Sequence, residues 1–173
     1  MNPWPDLRLI LQGIDWVIVG GVATRAYMPE RMTRDLDILV DRKNEAAALA
    51  SLKQAGFQVI DHLAIAGYAL RSPDGVEVDM LLGDQPWLKD ALSKPERDPA
   101  GYPVIGLPYL ILLKMAAQRS QDWADVSRML GLASDSDLDE VRRVIAQVTP
   151  EDSEDLESLI FIGKQEQSPP ANS

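Results

Sequence analysis

The most regular hydrophobic pattern in the chain lies at residues 35–40, where Leu36, Ile38 and Val40 alternate with Asp35, Asp37 and Leu39. A period of two puts the first three on one face of a strand and both aspartates together on the other. Residues 76–81 repeat it, with Val76, Val78 and Met80 against Glu77 and Asp79. The turn signal Ser72-Pro73-Asp74-Gly75 separates them from residues 68–71, so the two flanks are expected to form a hairpin. Upstream, residues 15–19 read as a short buried strand ending in a Gly20-Gly21 turn, and residues 22–28 suit a first helix. Residues 29–34 are a polar loop. Asn44 is placed to cap an alanine-rich helix at 45–54 that Gly56 stops, and 57–60 form another strand.

The pattern changes after Gly83. Residues 87–92 suit a short helix, 94–101 a loop and 104–106 a last short strand. From Pro108, which fits a first helical turn, four helical stretches follow at 109–119, 121–130, 138–148 and 151–161. Strands mixed with helices, then helices alone, predict an α+β (mixed α/β) fold: a mixed sheet with flanking helices and a C-terminal helical segment. The expected division is a core at 1–95, a helical segment at 96–163 packed on it, and a Gln-, Ser- and Pro-rich disordered tail at 164–173.

Composition narrows the function. No cysteine is present, which excludes disulfides, thiolate metal sites and cysteine nucleophiles. No apolar run approaches the roughly 20 residues of a membrane span, and the first residues lack a secretory pattern, so a cytoplasmic protein without membrane partners is expected. The formal net charge of -10 argues against general DNA binding, because phosphate contacts need clustered Lys and Arg.

The acidic face carries the candidate chemistry. Asp35 and Asp37 leave one face of one strand, and Asp79 reaches them if its strand is a neighbour. Three carboxylates form an oxygen-rich cage suited to Mg²⁺ (or Mn²⁺), a hard ion that prefers carboxylate, water and phosphate oxygens. The Gly20-Gly21 turn lets backbone N–H groups approach a phosphate, with a helix N-terminus behind them. Each element alone is weak: a Gly-Gly pair is usually a tight turn, and Asp-x-Asp is usually a solvated face. Their order along the chain is what carries weight.

Val19-Gly20-Gly21-Val22-Ala23, followed by Arg31-Met32-Thr33-Arg34-Asp35-Leu36-Asp37-Ile38-Leu39-Val40, resembles the signature of the polymerase-beta-like nucleotidyltransferases. Within that superfamily the chain looks most like the abortive-infection (AbiEii-like) toxin nucleotidyltransferases. There the stretch Leu107 to Arg119 with Asp122-Trp123-Ala124-Asp125 resembles a helical Lys, Ala, Arg, Asp-x-x-Asp region. The resemblance implies a nucleotidyltransferase fold in which Asp35, Asp37 and Asp79 hold the metal and carry catalysis, while Gly20, Gly21, Thr33, Arg34 and Lys114 bind the nucleotide. It departs at Gly21, where many active members carry Ser.

The implied reaction moves a nucleoside monophosphate from an NTP to a hydroxyl of RNA or protein, in a toxin–antitoxin or phage-defence setting with an antitoxin partner. Two alternatives stand beside it: a degenerate member that binds nucleotide or a partner, and a small-molecule (antibiotic) adenylyltransferase. Among other residues, Lys114 is either a triphosphate contact or a snorkelling lysine. Asp122 suits the first turn of its helix. Arg25, Arg31 and Arg34 could each contact phosphate or pair with surface acids. The single His62 has no partner of metal-ligand spacing, and Trp87, Tyr109 and Trp123 read as packing residues.

Overall fold

The structure, a computed structural model, describes residues 4–167. They divide into two compact units: the first holds the described residues up to Ala26 together with Glu30–Ile105, the second Tyr27–Pro29 and the chain from Gly106 on.

The first unit contains a seven-stranded mixed sheet. Its elements are α1 (Leu7–Ile10), β1 (Trp16–Val19), α2 (Gly20–Ala23), β2 (Leu36–Asp41), α3 (Glu45–Gln54), β3 (Gln58–His62), β4 (Gly67–Arg71), β5 (Glu77–Gly83), α4 (Leu88–Ser93), β6 (Glu96–Arg97) and β7 (Pro103–Val104). The strand order is β3-β4-β5-β2-β1-β7-β6. β1 runs antiparallel to β2, whereas β2 and β5 are parallel.

Period-two alternation explains the core. Leu36, Ile38 and Val40 are Cα partners of Val78, Met80 and Leu82, and all six are buried. Ala48 and Leu52 of α3 are fully buried as well. Each large side chain so removed from water contributes about 1.5–3 kcal/mol. Tyr68, the Cα partner of Met80, donates its hydroxyl to Glu45 Oε1 at 2.5 Å, tying β4 to the start of α3. The predicted hairpin is β4–β5. Its turn is closed by the Gly75 N–H on the Ser72 carbonyl, and the Val76 N–H donates to Ser72 Oγ.

Three local expectations are corrected. The helix expected at 22–28 is the four-residue α2 followed by a 3₁₀ turn at Thr24–Ala26. There the Thr24 hydroxyl donates to the Gly21 carbonyl at 2.8 Å. So short a helix sums few peptide dipoles, and the helix-dipole support expected behind Gly20-Gly21 is correspondingly small. Asn44 makes no side-chain cap to α3. The capping side chain is instead Asp41, which accepts from the Lys43 N–H at the start of a 3₁₀ turn over Arg42–Asn44. The loop expected at 94–101 contains β6, an edge strand paired with β7.

The second unit holds α5 (Leu107–Ala117), α6 (Ser120–Leu132), α7 (Asp135–Val148) and α8 (Ser153–Gln167). α5 ends where Gln118 turns left-handed, and α7 opens on a capping box between Ser134 and Asp137. α6 and α8 cross at glycines: a Cβ on Gly131 would fall on the Gly163 carbonyl, and one on Gly163 on the Ser127 carbonyl. Lys164 then donates to the Ala133 carbonyl at 2.7 Å, just past the end of α6. α8 runs to Gln167, into the stretch expected to be tail; the rest of that stretch lies outside the described residues. The α+β class expected from the sequence, a mixed sheet with flanking helices and a C-terminal helical segment, is the one observed.

Candidate active site

Parallel pairing of β2 with β5 makes Asp37 and Asp79 Cα partners. Asp35, two residues ahead of Asp37 and just before β2, belongs to the same face, as does Glu77 at the start of β5. The strands thus put all three predicted aspartates on one side of the sheet, opposite the face that packs Leu36, Ile38 and Met80.

Like charge marks this face. The Asp79 carboxyl is held above the ordinary carboxylate range, first by burial and then by the charges of Asp35 and Glu77. Arg71, opposite Glu77 on β4, offsets part of that charge through an ion pair at 3.2 Å. Among the described residues, no group of three or more His, Cys, Asp or Glu side chains is set to hold a metal ion. The donor types still suit a hard divalent cation.

The glycine turn abuts these acids. Gly20 has φ +65°, a left-handed conformation suited to glycine, and a Cβ there would fall on Asp37 Oδ2 and lie 2.8 Å from Asp37 Cγ. At Gly21 a Cβ would lie 2.6 Å from Thr33 Cγ2 and 3.2 Å from Arg31 Nη2. Thr33 therefore stands where a longer residue at 21 would need space. Arg34 is exposed beside Asp35.

Lys114 belongs to the second unit, in α5. It does not snorkel: it is 4% exposed, and its Nζ donates to Asp122 Oδ1 at 3.0 Å and to Asp125 Oδ2 at 2.8 Å. Burial raises the Asp122 pKa, but hydrogen bonds from Arg119 and Lys114 outweigh that and hold it below its usual range. Asp122 is thus more than a dipole-complementing residue in the first turn of α6. His62 is exposed at the end of β3, with its ring 4.8 Å from that of Tyr68. Trp87, Tyr109 and Trp123 are half-buried.

One polar cluster has no counterpart in the sequence reading. The fully buried Asp98 carboxylate pairs with Arg25 and accepts from the N–H groups of Ala100 and Tyr102. Arg25, just past the glycine turn, is thereby committed to the loop before β7. An Arg-Asp-Pro stretch reads as solvated, and only the fold reveals its burial.

The segment carrying this site matches a known protein family. Residues 8–87, just under half of the chain, match the family described as aminoglycoside-2''-adenylyltransferase. No curated protein sequence matches significantly. Among solved structures, ANT(2'')-Ia in complex with adenylyl-2''-tobramycin is 15% identical, with a TM-score of 0.49 over 91% of each chain. The lincosamide antibiotic adenylyltransferase LnuA, with lincomycin bound, is 15% identical, with a TM-score of 0.46 over 80% of this chain and 90% of that one. Both scores fall below 0.5, so neither carries weight in assigning the site. Residues 8–87, which hold the glycine turn and all three aspartates, are thus similar to a family of nucleotidyltransferases, the enzyme class expected from the sequence.

Proposed function

We propose that this chain transfers a nucleoside monophosphate from an NTP to a hydroxyl acceptor. The observation that supports it most is the register of Asp37 with Asp79, with Asp35 on the same face and Gly20 against Asp37. Asp35, Asp37 and Asp79 would hold Mg²⁺ (or Mn²⁺), which when bound neutralises phosphate charge and orients the triphosphate. The Gly20-Gly21 turn gives the phosphates close access to backbone, and Thr33 is a further nucleotide contact in this reading; the exposed Arg34 and Lys114, which is committed to Asp122 and Asp125, are not needed for it. The acceptor oxygen attacks the α-phosphorus and pyrophosphate leaves. Asp79, a carboxylate on the face of Asp35 and Asp37, is suited to take the acceptor's proton.

For the acceptor, the match of residues 8–87 favours a small, hydroxylated, cationic molecule of the aminoglycoside kind. The net charge of -10 favours a cationic substrate too. A second reading, an AbiEii-like toxin acting on RNA or protein and checked by an antitoxin, draws on the pattern of Lys114, Asp122 and Asp125. The buried ion triad formed by these residues gives that pattern a structural role as well.

Incubation with each α-labelled NTP and Mg²⁺, against an aminoglycoside panel and against whole-cell RNA and protein, tests both readings. Label on an aminoglycoside supports the first, and label on RNA or protein the second. If Asp37→Asn, still folded, transferred label as well as the unaltered chain, the proposed site would be wrong.

A further inference from the structure

Three arginines follow the glycine turn in sequence, and the structure separates them. Arg25 is locked to the buried Asp98. Arg34 is exposed and lies next to Asp35. Arg31 is half-buried, and its Nη2 lies 3.2 Å from the point where a side chain on Gly21 would begin. The equivalent point on Gly20 is taken by Asp37 Oδ2. One guanidinium and one site carboxylate therefore rest on consecutive residues of a single turn.

We propose that Arg31 is the residue that grips the triphosphate at the glycine turn, and that residue 21 is glycine to make room for Arg31 and Thr33. This rests on the nucleotide-transfer reading above. The face beside the turn carries Asp35, Asp37, Glu77 and Asp79, and a triphosphate adds more negative charge. An anion laid against Asp37 needs a cation at its other side, and a guanidinium presents a planar fork of donors that matches phosphate oxygens. Arg31 is at that place, whereas Arg25 and Arg34 are not. The same geometry assigns Gly21 a role opposite to that of a missing hydroxyl: a serine there would press on the Thr33 methyl at 2.6 Å and crowd Arg31 off the turn.

The test is Mg²⁺-dependent binding of ATP, GTP, CTP and UTP to the full chain by titration calorimetry, with the matching monophosphate as control. Arg31→Met is expected to weaken the preferred NTP by about 10- to 100-fold, the range for losing a hydrogen bond to a charged group. The monophosphate is expected to be much less affected. Arg31→Lys should recover part of the loss, because charge is kept and the fork is not. Arg34→Met should stay within about threefold of the unaltered chain, as for a screened surface charge. Gly21→Ser should weaken the NTP, and Gly21→Ser with Thr33→Ser, which removes the crowding methyl and keeps the hydroxyl, should regain some affinity. Unchanged NTP binding in Arg31→Met and Arg31→Lys, equal losses for NTP and monophosphate, or tighter binding in Gly21→Ser would each overturn the assignment and leave nucleotide transfer standing. Failure of the unaltered chain to bind any NTP with Mg²⁺ would overturn both.

Discussion

Gly20 and Asp37 exclude one another's growth: a Cβ on Gly20 would clash with Asp37 Oδ2, so the glycine is the condition for the carboxylate's position. Gly20→Ala must also hold a left-handed φ of +65°, at a cost of about 1–2 kcal/mol for an L-residue. Denaturant unfolding is expected to show a loss of at least that size, and Asp37 must move to relieve the contact. Loss of the Mg²⁺-dependent rise in melting temperature with NTP should accompany it. If that rise persists at full size, the position of Asp37 does not matter to binding.

Asp79 sets a pH dependence with a definite sign. Its carboxyl is held above its ordinary value, so the folded chain binds that proton more tightly than the unfolded chain does. The resulting contribution is present at low pH and is lost as pH rises through the raised value. Without divalent cation, Asp79→Asn should therefore stabilise the protein at neutral pH and leave its stability unchanged in acid. Thermal melts from pH 4 to 8 with EDTA check this. Added Mg²⁺ should raise the melting temperature of the unaltered chain and leave Asp79→Asn nearly unmoved.

The buried Lys114 triad predicts an asymmetric mutational response. Lys114→Met leaves Asp122 and Asp125 buried without their shared cation, and such losses cost about 3–5 kcal/mol. Adding Asp125→Leu removes one stranded charge and should restore part of the stability. Asp122, held below its usual range, works in the opposite pH direction from Asp79. Its contribution is full above the ordinary carboxylate range and is lost as pH falls through its lowered value. Denaturation midpoints of the single and double variants at pH 7 and pH 3 would show both effects.

Gly163→Ala is expected to force α6 and α8 apart, since its new methyl would land on the Ser127 carbonyl. Overpacking of this kind costs about 1–3 kcal/mol. Gly75→Ala is the control: it meets nothing within 4 Å and bears only the strain of φ +83°. Urea unfolding of the two variants should place Gly163→Ala as the more damaged.

How much of this was legible beforehand follows from where the information lies. The period-two pattern at 35–40 and 76–81 revealed both strands and which face of each is buried, because alternation encodes face directly; that Asp79 shares a side with Asp35 and Asp37 depended on the pairing of β2 with β5. The brevity of α2, which passes into a 3₁₀ turn at Thr24, was not visible in the apolar pattern of residues 22–28. Nor was the fate of the charged residues. Lys114 read as a triphosphate contact or a snorkelling lysine, and Asp122 as a first-turn acid, because a buried charge is recognisable only once its partner is placed. The Arg25–Asp98 pair joins residues 73 positions apart, a separation no local pattern spans. The crowding at Gly21 likewise depends on how the loop before β2 folds back.

The alignment of β2 with β5 has a consequence for how faithfully the site is assembled. Sliding one strand by a single position would turn Val78 and Met80 toward water and drive Asp79 among the leucines, an arrangement too unfavourable to persist. The greasy side of the pair thus proofreads the acidic side. Drift in the core residues can erode stability by degrees, but it cannot quietly misplace the aspartates in a molecule that still folds.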